Sequence, residues 1–262
     1  MQRILLIVLT FFCAMPMVAQ DMKSVFIAMP DSITPLLTKV NKEDFVDFLD
    51  SNMKAEVKNR FDGTAEMKVL TEDYTLVQTS EIGTLEMKLL PVNDSTKVIC
   101  MVKTVCASAC DSDVRFYTSD WSKELDAASL LQRPSADVFF LPNDTLSEEG
   151  TLIRKKADMH LMKASLSKDE PTLTFIYTTP DYLNQEDKEK LLPHLRKEPV
   201  VLEWKDGKPV NMTVTGGWEK CVHIQIPKGM TASVKGCEHK YYKDFVQLNI
   251  SDGKKAGIHF RS

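Results

Sequence analysis

The apolar positions along this chain change period twice. Between Met22 and Met29, Val25 and Phe26 centre a short helical segment, and from Asn41 onward Phe45, Phe48, Leu49 and Met53 recur at helical spacing and define one apolar face. Asn41 has the side chain of a helix cap, with Asp44 three residues later, so the second helix is expected to begin there. Pro30-Asp31-Ser32 separates the two segments. From Phe61-Asp62-Gly63 the pattern turns to short β-type runs: 67–70, 74–79, 85–92, 97–105 and 114–117, with Asn93-Asp94 marking a tight reversal. The first half therefore predicts two helices followed by an antiparallel meander.

A second round begins near Ser119 or Asp120. Trp121, Leu125, Ala128 and Leu131 lie at helical spacing and stop before Pro134. A short apolar segment, 138–141, precedes an expected loop over 142–150. Runs 159–166 and 172–178 read as strands, and 184–195 reads as a polar helix anchored by Leu191, Leu192 and Leu195 but damaged by Pro193. Val200 to Trp204, Asp206-Gly207 and Val210 to Thr215 form the clearest hairpin, because Asp-Gly suits a two-residue turn; Asp252-Gly253 repeats the device between 245–250 and 258–260. The expected class is α+β, with helices followed by an antiparallel meander in two similar halves and hairpins at the carboxyl end. The expected division is a leader over 1–20, a domain over 21–118 and a second domain over 119–262.

Composition narrows the function classes. With 33 Lys plus Arg against 37 Asp plus Glu and no purely basic window, nucleic acid is an unexpected partner. The 10 glycines include a single adjacent pair, Gly216-Gly217, and form no phosphate-cradling loop, so no nucleotide cofactor is expected. At the amino end Arg3 precedes an apolar run, Ile4 to Phe12, broken only at Thr10, and Ala19 precedes the polar Gln20 and Asp21. That order is the order of a secretory signal peptide cleaved near Ala19. A membrane-spanning helix needs about 18 to 20 apolar residues, and Pro16 interrupts this segment too early. No integral membrane span is expected. Phe12 and Thr10 suit an acylated Cys13 poorly, so the lipoprotein reading is the weaker one.

Export changes how the remaining cysteines are read. Cys100, Cys106, Cys110, Cys221 and Cys237 are odd in number, so at least one has no intramolecular partner. Cys106 and Cys110 flank Ala107-Ser108-Ala109 at the end of an expected hairpin, which suits a disulfide; Cys100 reads as a small buried hydrophobe. Cys221-Val222-His223 and Cys237-Glu238-His239 form a doubled Cys-x-His that resembles a tetrahedral zinc set. The one-residue spacing and the oxidising compartment favour a Cys221 to Cys237 disulfide, and no metal site is assigned. The acidic pairs Asp111 and Asp113, Glu148 and Glu149, and Asp169 and Glu170 fall in turns or loops where solvated carboxylates are ordinary. Trp218, after Gly216-Gly217, and Tyr241-Tyr242, in a polar segment, are the aromatic candidates for ligand contact. No G-x-S-x-G and no C-x-x-C occurs, so no catalytic residue is assigned.

Met29-Pro30-Asp31-Ser32, Leu36-Leu37, Phe45 to Asp50, Leu89-Leu90-Pro91, Val98-Ile99-Cys100, Thr104-Val105-Cys106, Cys110-Asp111-Ser112, Phe116-Tyr117 and Trp121 together resemble a family of uncharacterised secreted proteins of Bacteroidales. The resemblance runs over roughly residues 22 to 215. It implies export and a domain of unknown function, and it implies no substrate, cofactor or catalytic residue. The functional expectation is an exported, non-catalytic module of the cell envelope that binds an envelope protein or a saccharide. The alternative is a periplasmic hydrolase with a non-standard active site.

Overall fold

The computed structural model describes residues 21–131, 133–141, 148–205, 207–213, 231–233, 247–251 and 257–259; from residue 208 onward the strands are described by their backbone alone. Asp21 caps the first helix, α1 (Met22–Ala28), its carboxylate accepting the Ser24 N–H at 2.9 Å. The second helix, α2 (Lys39–Asp50), begins two residues earlier than Asn41 suggested. Thr38 is its cap: the Thr38 hydroxyl accepts the Asn41 N–H at 3.1 Å and Asn41 Oδ1 accepts the Thr38 N–H at 3.0 Å. This reciprocal capping box places Asn41 at the third helical position. α2 buries Phe45, Val46 and the stem of Lys42, whose ammonium donates to the Met29 carbonyl and to Asp31 at 3.0 Å; Met53 lies past the helix end and is exposed.

The meander is a seven-stranded antiparallel sheet in which spatial order follows chain order: β1 (Glu56–Lys58), β2 (Thr64–Leu70), β3 (Tyr74–Gln78), β4 (Gly83–Pro91), β5 (Lys97–Cys106), β6 (Cys110–Thr118) and β7 (Glu124–Leu125). β4 and β5 are buried over almost their whole length rather than at alternate positions. The cause is cover on both faces, which makes central strands read as continuous apolar runs. On one face Met67, Val77, Met87, Ile99 and Met101 pack with Phe26 and Phe45 of the helices. On the other, Cys100, Val102 and Phe116 share a core with Phe175, Leu202 and Trp204.

The helical stripe expected from Trp121 does not form as one helix. Trp121 has φ of 62°, β7 follows it, and only α3 (Ala127–Leu130) is helical. Trp121 is anchored elsewhere: its indole N–H donates to the Val25 carbonyl at 2.8 Å and its ring lies 5.2 Å from that of Tyr117. A 3₁₀ turn, Ala136–Phe139, and α4 (Glu148–Lys156) come next, the helix starting inside the expected loop. Then follow β8 (Met162–Leu166), β9 (Thr172–Tyr177), α5 (Thr179–Tyr182), α6 (Gln185–Leu191), β10 (Val200–Lys205) and β11 (Lys208–Thr213). Asn184 caps α6, and Pro193 falls in a single 3₁₀ turn, Leu192–His194, that ends it. The four strands form a second antiparallel sheet ordered β11-β10-β9-β8. Lys205 pairs with Lys208, which leaves two positions for the turn, and Gly207 there has φ of 73°.

β8 is an edge strand whose outward amides meet side chains instead of another strand. The N–H groups of Met162, Ala164 and Leu166 donate to Asp111 Oδ1 at 3.1 Å, Ser112 Oγ at 2.8 Å and Glu86 Oε2 at 2.8 Å. Alternate residues of an antiparallel strand present their amides to one side, so one row of three acceptors on the first sheet satisfies one edge of the second. A buried edge left without acceptors would be costly.

The chain divides after Gly216 into two units, the second covering 217–262. In that second unit β12 (Thr231–Ser233), β13 (Gln247–Ser251) and β14 (Gly257–His259) form a three-stranded antiparallel sheet. The division expected near residue 118 falls between β6 and β7, which are neighbours in one sheet. The core that joins Cys100 and Phe116 to Phe175 and Trp204 runs across it.

Candidate functional site

In a meander every second connection emerges at the same end of the sheet, so three turns come together: β1 to β2, β3 to β4 and β5 to β6. The first is organised by Asn59, which is buried. Its Oδ1 accepts the N–H groups of Phe61 and Gly63, both at 3.0 Å, and its Nδ2 donates to the Thr79 carbonyl of the second turn at 3.0 Å. Gly63 leaves room for that side chain: a Cβ there would stand 3.0 Å from Asn59 Nδ2, so Asn59 would have to shift by a few tenths of an ångström. Outside, Arg60 donates its backbone N–H to the Leu36 carbonyl at 2.9 Å and pairs with Asp31 at 3.5 Å. The second turn closes through Thr79 N–H to Gly83 O at 2.9 Å, and Ile82 O accepts the Cys106 N–H at 2.8 Å. The third is closed by a disulfide between Cys106 and Cys110, the cross-strand pair that ends the hairpin. Each turn is thus braced internally, and hydrogen bonds tie each to the next.

What these braced turns present is apolar. Phe61 is 73% exposed, Ile82 55% and Val105, beside the disulfide, 56%. The connections at the opposite end, Thr71-Glu72-Asp73 and Val92-Asn93-Asp94-Ser95-Thr96, are mainly polar. Phe61 and Ile82, on hydrogen-bonded turns, and Val105, near the end of β5, put three large apolar side chains in solvent, an arrangement suited to contact.

The interior between the sheets holds a second cluster. Glu86 Oε2 receives the Tyr74 hydroxyl at 3.2 Å as well as the Leu166 N–H, and burial pushes the Glu86 carboxyl above the usual carboxylate range. Burial likewise raises the Tyr74 phenol and the thiol of Cys100, the latter far from thiolate chemistry. Lys88 Nζ donates to the Lys168 carbonyl at 2.8 Å and pairs with Asp73 at 3.1 Å. A cavity of about 20 Å³ lies between Leu90, Cys100, Phe116, Leu131, Leu166 and Trp204, room for about one water, whereas small-molecule sites take roughly 300 to 1,000 Å³. This cluster joins layers.

The residues singled out in the sequence are distributed as follows. Cys106 and Cys110 belong to the third turn, and Cys100 is a buried core residue. Asp111 receives Arg133 at 3.2 Å and the Met162 N–H, and Asp113 receives Arg115 at 2.6 Å, so this acidic pair is engaged in packing and surface ion pairs. Trp204 is a core residue, stacked 5.9 Å from Phe116, with its indole N–H on the Pro91 carbonyl at 2.7 Å. Cys221, Cys237, His223, His239, Trp218, Tyr241 and Tyr242 lie outside the described residues. Among the described residues no group of three or more His, Cys, Asp or Glu is placed to hold a metal ion, and no helix is long and apolar enough to cross a membrane. Phe61, Ile82 and Asn59 were missed by sequence reasoning. Their signal is an apolar residue set inside a turn, directly before Asp62-Gly63 and before Gly83.

Residues 14–208 match a family described as "Protein of unknown function (DUF3256)". Among solved structures, a domain of an uncharacterized protein from Porphyromonas gingivalis W83 is similar at 31% sequence identity and a TM-score of 0.67, covering 75% of this chain and 100% of that one. No curated protein matches the chain. With three quarters of its length covered by a solved relative above 30% identity and most of it matched by the family, the chain belongs to the DUF3256 family of proteins of unknown function.

Proposed function

We propose that this chain is an exported, non-catalytic binding module of the cell envelope. One observation carries the binding part, an apolar rim: at one end of the first sheet two braced turns hold Phe61 and Ile82 in solvent, and the end of β5, beside the disulfide, holds Val105 there. Keeping large apolar side chains exposed has a cost in solubility, and Phe61 is the most exposed of them among the described residues. A braced presentation lowers the ordering cost of contact, as preorganised binding surfaces do. Export is supported by Arg3, the apolar run to Phe12 and the small residues near Ala19. The Cys106 to Cys110 disulfide suits the same compartment, since such bonds persist outside the cytosol.

The test is fractionation of cells producing the chain, with amino-terminal sequencing of the recovered protein. The expected result is a mature end close to Gln20 in the envelope fraction, and release of the F61S/I82S/V105S variant into the soluble fraction. Recovery of the unprocessed chain in the cytosol overturns the export reading. Envelope retention that ignores the triple variant overturns the rim as the binding surface.

A further inference from the structure

We infer that the disulfide between Cys106 and Cys110 is a thiol-sensitive lock on the joint between the two sheets, closed when oxidised and loosened when a dithiol reduces it. Alternate residues of a strand share a face. The pairing of β5 with β6 therefore puts Cys100 and Phe116, Val102 and Val114, Thr104 and Ser112, and Cys106 and Cys110 in one column of cross-strand pairs. Cys100, Val102 and Phe116 belong to the core shared with the second sheet, so this is the face that meets it. The disulfide is the last pair of the column, next to the pair that receives the Ala164 N–H. Three successive residues at this end hold the second sheet: the Cys110 carbonyl accepts the Thr178 hydroxyl, Asp111 accepts the Met162 N–H at 3.1 Å and Ser112 accepts that of Ala164 at 2.8 Å. Element ends fray most readily, and here a covalent bond clamps the end from which Asp111 and Ser112 reach β8.

Two features make the bond a local lock. It encloses only three residues, and the chain entropy that a crosslink removes is least for the shortest loops, so little of the global stability depends on it. It is also open to attack: both half-cystines are partly exposed, and Ala107 and Ser108 between them are small and in solvent. Thiol exchange follows access. Cys100, three pairs further along the column, is buried and its thiol is held far above thiolate formation, so the electrons come from an external dithiol. One thiolate of that dithiol attacks one of the two sulfurs, the bond between Cys106 and Cys110 breaks, and the second thiolate resolves the mixed disulfide. The chain gains two electrons and two protons as two thiols, and the reductant leaves as its own disulfide. Hydrogen bonds alone then hold the segment from Cys110 to Ser112, and the acceptors it offers to β8 open more often.

The test reduces the purified chain with dithiothreitol in the absence of denaturant, follows amide hydrogen exchange, and maps the cysteines that iodoacetamide then modifies by peptide mass. Cys106 and Cys110 are expected to be alkylated and Cys100 to be spared. Exchange at Met162 and Ala164 speeds about tenfold, exchange at Phe61 and Gly63 in the Asn59 turn stays as it was, and reoxidation restores the slow rates. The variant C106S/C110S shows the fast exchange with no reductant present. A bond that dithiothreitol reduces only in denaturant overturns the lock, as does a reduced chain whose Met162 and Ala164 amides exchange at the oxidised rate. Alkylation of Cys100 in the same step reports opening of the core, makes the disulfide a staple of the whole unit and overturns the lock as well.

Discussion

Ser112→Ala tests the joint between the two sheets. Ser112 is buried on β6, its Oγ lies 2.7 Å from Thr104 Oγ1, and it accepts the N–H of Ala164, itself fully buried on β8. Alanine occupies nearly the same space, so the cavity contribution is small and the loss is one of hydrogen bonding. The Ala164 amide is left without that acceptor, which costs about 1 to 3 kcal/mol for a buried group, and the Thr104 hydroxyl loses its partner as well. The expected destabilisation is about 2 to 3 kcal/mol. Thr104→Val is milder, about 1 kcal/mol, because Ser112 still accepts from Ala164. Once Ser112 is alanine, Thr104→Val costs little more, so the two changes are not additive. Urea denaturation followed by circular dichroism gives the three values, and hydrogen exchange at Ala164 reads the joint itself. A Ser112→Ala chain within about 0.5 kcal/mol of wild type, with the Ala164 amide equally protected, refutes the reading of β8 as an edge held by side chains.

Three further outcomes are expected. Glu86 has a folded-state pKa raised by burial, so its favourable contribution is complete below the ordinary carboxylate range and is lost as pH rises through the raised value; Glu86→Gln removes that decline, and equal slopes of unfolding free energy against pH in the two chains contradict it. Asn59→Ala removes the acceptor of two backbone amides and the tie to Thr79, costs about 2 kcal/mol, and speeds hydrogen exchange at Phe61 and Gly63; unchanged exchange there refutes the brace. Thr38→Ala breaks the capping box of α2 and lowers stability by about 1 kcal/mol in thermal or urea unfolding, whereas a larger loss on Asn41→Ala than on Thr38→Ala favours Asn41 as the cap.

Strands β2 to β6 of the first sheet were legible because their signals are local. Apolar runs of strand length after Asp62-Gly63 and on either side of Asn93-Asp94 specify strands and a reversal within a few residues, and the structure has β2 to β6 there. Cys106 and Cys110 were legible for the same reason, as a pair separated by three small residues at a hairpin end. Local signals also misled. Thr38 and Asn41 are both capping side chains, and the reciprocal bonds between them decide which one starts the helix. Trp121, Leu125, Ala128 and Leu131 fit a helical period, yet the Val25 carbonyl, 96 residues away, holds Trp121 in a left-handed turn.

The class of fold was written in the order of residues along the chain, as helical periods followed by strand periods. What only the tertiary structure decided depends on residues far apart. The amides of β8 are accepted by side chains 51 to 80 positions away, a partnership that no periodicity encodes. The polar residues that accept them, Glu86, Asp111 and Ser112, look in sequence like ordinary strand and turn residues. The rim has the same origin. Phe61 or Ile82 alone is one exposed apolar residue in one turn, and the antiparallel order of the strands brings them to one end with Val105. Periodicity reports which side of an element is buried, while a surface built from two turns and a strand end exists only after the sheet has paired.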